Sequence, residues 1–152
     1  MTATSPTASG ASEPPGTGAT GTASIRVDGG PALTISVCPR CASRWFPPRE
    51  VCSACAHDRL DTVAAGPDGV AYASTVVRTG PPGFTTPYVL AYVDVDGVRI
   101  LAQADPVDPE NPAALPPGTP VTFTTGPIGH DGEVERVSYR VRPASEREES
   151  AR

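Results

Sequence analysis

The sequence contains no lysine, because all twelve of its basic Lys and Arg residues are arginine. Without lysine the chain has neither a Walker-type phosphate loop nor a Schiff-base nucleophile. Hydrophobic residues make up only 38% and aromatic residues 5% of its 152 residues, and no run of 18 apolar residues occurs. A membrane-spanning helix is therefore not expected. The 19 prolines and 15 glycines also disfavour long helices.

The sequence also has fewer basic than acidic residues, 12 against 17, and its formal net charge is −5. Nucleic-acid-binding domains usually carry a basic excess, so this balance argues against that class. The first residues lack the positive segment and the apolar segment of a secretory signal. We therefore expect a cytoplasmic protein with reduced thiols.

The four cysteines form two close pairs, Cys38-x-x-Cys41 and Cys52-x-x-Cys55, with ten residues between the pairs. Two such turns can direct four thiolates at one tetrahedral ion, and the spacing predicts a structural zinc site with no open coordination position. Iron binds to the same four ligands, so the choice between zinc and iron remains open. Two disulfides or a dithiol redox site are less favoured. If all four cysteines bind metal, no thiol remains for catalysis.

The rest of the chain predicts an all-β protein in four parts. Residues 1–24 are small and polar and predict a disordered tail, and residues 144–152 predict a charged C-terminal tail. We expect a zinc ribbon with a short lead-in over residues 25–63 and a barrel over residues 64–143. A five-stranded OB-type barrel suits the number of predicted strands, and an SH3-like barrel fits almost as well. The predicted strands are Val70–Val77, Tyr88–Val95, Val98–Gln103, Val121–Thr125 and Glu135–Val141.

Two local patterns refine this expectation. Tyr88–Val95 is apolar at both alternating sets of positions, which is typical of a strand covered on both faces. Asp96-Gly97, directly after it, predicts a two-residue hairpin. His130 lies in the sequence GPIGHDGE, which predicts an exposed glycine-rich turn.

An ordered set of motifs resembles a known family. The CPRC and CSAC pairs enclose Phe46-Pro-Pro-Arg49, and a Gly69-Val-Ala-Tyr72 segment, a Pro87-Tyr88-Val89 segment and a final Arg142-Pro143 follow. Over about residues 38–143 this resembles the zinc-ribbon and OB-fold family of acyl-CoA-associated proteins. The resemblance implies a rubredoxin-like ribbon followed by an OB barrel. It also implies an accessory subunit that assembles with a thiolase-like or ketosynthase-like enzyme, or with a MaoC-type hydratase, and helps to hold acyl-CoA.

Four residues are candidates for ligand or partner contact. Arg44 and Arg49 belong to an arginine cluster in the ribbon that could bind the phosphates of coenzyme A, although a solvated surface is the simpler interpretation. Phe46 could contact a ligand, but burial of the ribbon against the barrel is favoured. Phe84 lies in the loop between the first two barrel strands, where OB folds bind ligands, and could instead plug the barrel.

The leading hypothesis is thus a non-catalytic accessory subunit for acyl thioesters, because the sequence has no self-contained catalytic constellation. The first alternative is a module for single-stranded nucleic acid, which OB barrels and zinc ribbons also bind. The second alternative is a stand-alone acyltransferase or thioesterase that would use His130 with Ser138.

Overall fold

The computed structural model describes residues 24–27, 30–111 and 115–144. The predicted tails lie outside these residues, apart from Ser24 and Ala144 at their inner ends. Among the described residues no helix is long and apolar enough to cross a membrane. The all-β class is confirmed, and the described part of the chain contains nine strands: β1 Ser24–Val27, β2 Gly30–Val37, β3 Arg44–Trp45, β4 Asp61–Ala65, β5 Asp68–Val77, β6 Tyr88–Val95, β7 Val98–Ala104, β8 Pro120–Asp131 and β9 Val134–Pro143.

The strands form two sheets. In the small N-terminal sheet, β2 pairs antiparallel with β1, β3 and β4. The other five strands close a barrel in the order β5-β6-β7-β9-β8. The last strand inserts between β7 and β8 and runs parallel to β7, which is the OB arrangement rather than the SH3-like one. The predicted division between residues 63 and 64 falls within β4 and stays a prediction.

The barrel interior is filled by the alternate residues of each strand. Along β6, the side chains of Val89, Ala91, Val93 and Val95 are buried, and along β7 those of Val98, Ile100, Ala102 and Ala104. Leu33 and Ile35 of β2 belong to the same core cluster. The small sheet is therefore fixed to the barrel by a shared apolar core, and burial of these side chains stabilises both parts together.

The predicted hairpin after β6 is confirmed. Val95 pairs with Val98, and the two residues between them, Asp96 and Gly97, both have positive φ angles, of 45° and 78°. That conformation matches the right-handed twist of the two strands. Asp96 also links this turn to two other segments. Its carboxylate accepts a hydrogen bond from the Gly66 amide at 2.6 Å, and its carbonyl accepts one from Arg44 at 3.0 Å.

The expectation that GPIGHDGE is a turn is wrong. Strand β8 continues through this sequence to Asp131, and the turn consists of Gly132 and Glu133 alone. Gly132 belongs to that turn, whereas Gly126 and Gly129 lie within the strand and serve close contacts. A Cβ at Gly126 would meet the side chain of Arg140, and β8 has an irregularity between Pro127 and Gly129.

The loop between β5 and β6 contacts this extended hairpin directly through backbone atoms. The His130 amide donates a hydrogen bond of 2.6 Å to the Gly83 carbonyl. A Cβ at Gly83 would collide with the His130 carbonyl oxygen, and a Cβ at Gly129 would collide with the Gly83 carbonyl oxygen. Both positions therefore require glycine, because the two backbones are in direct contact.

We expect Gly83→Ala to lower the free energy of unfolding by about 2–3 kcal/mol, because it adds a backbone collision to the strain of a positive φ angle. Gly118→Ala is the matched control. Its φ of 88° is nearly the same as the 89° of Gly83, but nothing lies within 4 Å of the added Cβ. It should lose only about 1 kcal/mol. Urea denaturation measures both, and equal losses would show that the loop contact contributes nothing.

Candidate metal centre

Each cysteine pair lies on a tight turn, and the two turns are built alike. The Ala42 amide donates to the Cys38 carbonyl and the Ala56 amide donates to the Cys52 carbonyl, both at 2.9 Å. Both alanines have positive φ angles, of 59° and 56°. The sequence contained a signal for this equivalence, because Cys-x-x-Cys-Ala occurs twice. In each turn the backbone aims two sulfurs in one direction.

The four sulfur atoms converge. The Sγ atoms of Cys38, Cys41, Cys52 and Cys55 all lie within 4.8 Å of one another. The Cys38–Cys55 and Cys41–Cys52 distances are both 3.6 Å. A disulfide would require about 2.05 Å, and all four cysteines are free. Sulfurs at about 2.3 Å from a tetrahedral ion would lie about 3.8 Å apart, so the donor set fits one metal ion.

The pKa values of the cysteine thiols explain why such a cluster favours a bound cation. The Ser43 hydroxyl, 3.2 Å from the Cys41 sulfur, and the Ser43 amide lower the pKa of Cys41 to about 6. A hydrogen bond from the His57 backbone lowers the pKa of Cys55, but burial and the other three cysteines outweigh it and raise that pKa to about 12. Four negative sulfurs cannot share this site unless a bound cation compensates them.

The two candidate arginines already have partners within the chain. Arg49 donates from Nη1 to Ser53 Oγ at 2.6 Å, and its guanidinium lies 4.8 Å from the centre of the Trp45 ring. The backbone of Arg49 is fixed as well, because its amide donates to Ser36 Oγ at 2.8 Å. Arg44 donates to the Asp96 carbonyl. These contacts hold the ribbon to itself and to the barrel, and phosphate binding by either arginine stays a prediction.

The two candidate phenylalanines lie in different places. Phe46 packs edge-on against Tyr139 of β9, with ring centres 5.7 Å apart, and Tyr139 in turn contacts Phe123 inside the barrel. Phe46 therefore joins the ribbon to the barrel, as the favoured interpretation expects. Phe84 is half-buried with its ring centre 6.1 Å from that of Tyr88, at a small hollow of about 170 Å³. Ligand contact by either residue stays a prediction.

His130 and Ser138 do not form a pair. His130 lies opposite Glu135, whereas Ser138 lies opposite Gly126, four residues away along β8. Four residues of a strand span roughly 13 Å, which is far beyond hydrogen-bonding distance. The only His, Cys, Asp or Glu cluster with metal-binding geometry among the described residues is the four-cysteine one.

Comparison with known proteins places the barrel in a family. Residues 62–126 match the family described as the C-terminal OB-fold domain of ChsH2. The chain is 32% identical over 80 residues to the benzoylsuccinyl-CoA thiolase subunit BbsA of Geobacter metallireducens, covering 51% of this chain and 54% of BbsA. It is 31% identical over 78 residues to a DUF35 domain-containing scaffold protein of Methanocaldococcus jannaschii, covering 49% and 55%. The chain thus spans about half the length of these two curated relatives.

A solved structure is similar over a greater length. The complex titled Ltp2-ChsH2(DUF35) aldolase contains a chain that is 30% identical to this one, with a TM-score of 0.57. The match covers 74% of this chain and 85% of that one. At this identity and coverage, the similarity reaches beyond the shared fold to a common family.

Replacing one sulfur tests the metal centre. We expect Cys38→Ser to reduce the metal content from about one ion per chain to a small fraction of that, since the tetrahedral site loses a ligand. Amide hydrogen exchange should rise over residues 33–63. The control Ser43→Ala keeps all four sulfurs and should keep the metal. Elemental analysis and exchange mass spectrometry measure both, and an unchanged Cys38→Ser protein would contradict the assignment.

Proposed function

This chain belongs to the DUF35 family of ChsH2-type OB-fold proteins, and we propose that it is a non-catalytic accessory subunit of a thiolase-like enzyme. The observation that carries the proposal is the match of 74% of this chain to a chain of the structure titled Ltp2-ChsH2(DUF35) aldolase. The similarity to BbsA, which is named as a thiolase subunit, supports it from sequence. Ketosynthase-like enzymes and MaoC-type hydratases are further candidate partners that only the motif resemblance suggests.

The chemistry of the metal centre supports a structural role. Four thiolates complete a tetrahedral coordination shell, so the ion has no position left for water or substrate. We assign Zn²⁺ to the site, because it prefers closed tetrahedral thiolate sites and has no redox chemistry, in keeping with a stabilising ion in a reducing cytoplasm. The cysteine sulfurs are then all engaged, and the partner enzyme has to supply the nucleophile for any acyl transfer.

An acyl thioester is the substrate class that suits this assembly, since the name of BbsA specifies a CoA thiolase. We propose that the ribbon faces the phosphates of coenzyme A with Arg49. Among the described residues this guanidinium contacts Ser53 and Trp45, and Arg49 is exposed, so an edge remains for a phosphate oxygen. A phosphate bound there would add a charge-assisted hydrogen bond without moving the backbone, which Ser36 holds.

Co-purification tests the accessory role. We expect the full chain, expressed with a thiolase-like enzyme from the same organism, to form a stable complex in size-exclusion chromatography with light scattering. The partner's thioester-cleaving or condensing activity should rise when the chain is added. A partner that is soluble and fully active alone, and that does not bind the chain at micromolar concentration, would refute the proposal.

Substitution of Arg49 tests the phosphate contact. We expect Arg49→Ala to raise the KM of the assembled complex for its acyl-CoA about tenfold or more, because a charge-assisted hydrogen bond is lost. Arg78→Ala is the control, since Arg78 is an exposed barrel arginine paired with Glu110 at 3.3 Å. Metal content should be unchanged in both variants. A KM that is equally unaffected by the two substitutions would assign Arg49 to the ribbon structure alone.

A further inference from the structure

Three bulky side chains are exposed next to one another on the outside of the barrel. Tyr72 of β5, Tyr92 of β6 and Leu101 of β7 retain 53%, 47% and 43% of their accessible surface. Tyr92 and Leu101 are directly paired across two strands, and Tyr72 lies at a bulge beside Tyr92. Together with Leu90, these residues form what we call the outer β5–β7 face. It contains a hollow of about 330 Å³ lined by Ala73, Ser74, Thr75, Leu90, Tyr92 and Leu101.

The sequence of β6 is that of a strand covered on both sides, but the structure covers only one side. Its inward residues fill the barrel core, whereas Leu90 and Tyr92 point away from it on the outer face. Antiparallel strands that face water normally alternate apolar and polar residues. The outer half of β6 breaks that rule, which indicates that another surface covers it.

The composition of the residues outside the described part of the chain does not suit them to that cover. The residues that the structure does not describe are 1–23, 28–29, 112–114 and 145–152. Their amino acids are small, polar, charged or proline, and Met1 is the only bulky apolar residue among them. Burial of two tyrosines and a leucine requires several apolar partners. These segments therefore offer too little apolar surface to cover the face.

The charges beside the face specify what kind of surface fits. Asp94 and Arg99 flank it and form a bidentate salt bridge with each other. Arg99 Nε donates to Asp94 Oδ1 at 2.7 Å, and Arg99 Nη2 donates to Asp94 Oδ2 at 2.9 Å. The Arg99 guanidinium also stacks on Tyr72, 3.3 Å from the ring centre. The lining of the hollow contains no charged side chain. A phosphate or a carboxylate brought here would lose its hydration without gaining a counter-charge, so the complementary surface is apolar and uncharged.

The size and composition of the face suit the centre of a protein interface. Half-exposed tyrosines and a leucine offer roughly 250 Å² of mostly apolar surface. A standard interface buries about 800 Å² on each partner, with an apolar centre inside a polar rim. Tyrosine is among the residue types that dominate binding energy, and such residues pair with pockets on the other side. On this chain, the hollow between Leu90 and Leu101 is the pocket that a bulky side chain of the partner would fill.

We propose that the outer β5–β7 face docks the thiolase-like partner enzyme, with one bulky apolar side chain of the partner seated in the hollow. This inference rests on the proposed function and adds the contact surface to it. The ribbon contacts the barrel elsewhere, through Phe46 on Tyr139 of β9 and through Arg44 at the Asp96 turn, so none of the residues of the outer face is used to hold the ribbon.

Charge placed at the centre of the face tests this surface. In the complex of the full chain with the thiolase-like enzyme, we expect Leu101→Arg to raise the dissociation constant at least about tenfold, and Tyr92→Ala to act in the same direction. Val137→Arg is the matched control, since Val137 of β9 is 59% exposed and lies outside this face. It should change the dissociation constant less than about twofold. Circular dichroism and metal content establish that each variant is folded.

The outcomes separate this inference from the proposed function. Weaker binding by Leu101→Arg and Tyr92→Ala, with Val137→Arg unaffected, supports the assignment of the face. Wild-type affinity in both face variants overturns it and leaves the accessory role intact. A wild-type homodimer that Leu101→Arg dissociates, with partner binding unchanged, overturns it too, because the face then binds a second copy. Failure of the wild-type chain to bind any thiolase-like enzyme overturns the proposed function itself.

Discussion

The convergence of four cysteine sulfurs on one point is the constraint on which the N-terminal part of the fold depends. Between residues 38 and 60, the only fully buried residues are Cys38 and Cys52. None of the large apolar residues of this segment is fully buried, since Trp45, Phe46 and Leu60 are half-buried and Val51 is 53% exposed. Hydrophobic burial therefore cannot hold the two turns together, whereas a shared cation can, because binding and folding draw on the same free energy.

A short series of contacts connects the cysteine-bearing turns to the barrel. The loop between the two turns carries Arg44 and Phe46, which reach the Asp96 turn and Tyr139. On the other side, β2 contributes Leu33 and Ile35 to the barrel core. The cysteine cluster thus positions the loop, and the loop and β2 fix the ribbon on the barrel. An accessory subunit gains from this rigidity, because a preorganised surface loses little conformational entropy when it binds.

Some features could be predicted from sequence because a local pattern determines them. The two Cys-x-x-Cys pairs predict the cysteine cluster, and β6 was predicted with its observed bounds because seven of its eight residues are apolar or aromatic and three of them are valine. Asp96-Gly97 determines its own turn. Other features depend on distant residues. Strand β8 runs six residues beyond its prediction because its glycines accommodate Arg140 and the Gly83 loop, which sequence alone does not bring together. The contacts of Arg49 with Ser53 and Trp45 were missed for a different reason, because these residues are only four positions away but their side chains meet only in the folded loop.

The two faces of β6 show how one barrel can serve both stability and recognition. Its inner residues are small or β-branched, because Val89, Ala91 and Val93 must fit a closed five-stranded interior. Its outer residues do not contribute to that interior, so their volume and polarity are free to vary without disturbing the core. Solvent exposure alone would favour polar residues there. Leu90 and Tyr92 instead make the outer side apolar, while the neighbouring charges Asp94 and Arg99 are neutralised by each other. A surface that avoids unpaired charge beside exposed apolar groups is what a tightly packed, water-excluding contact requires.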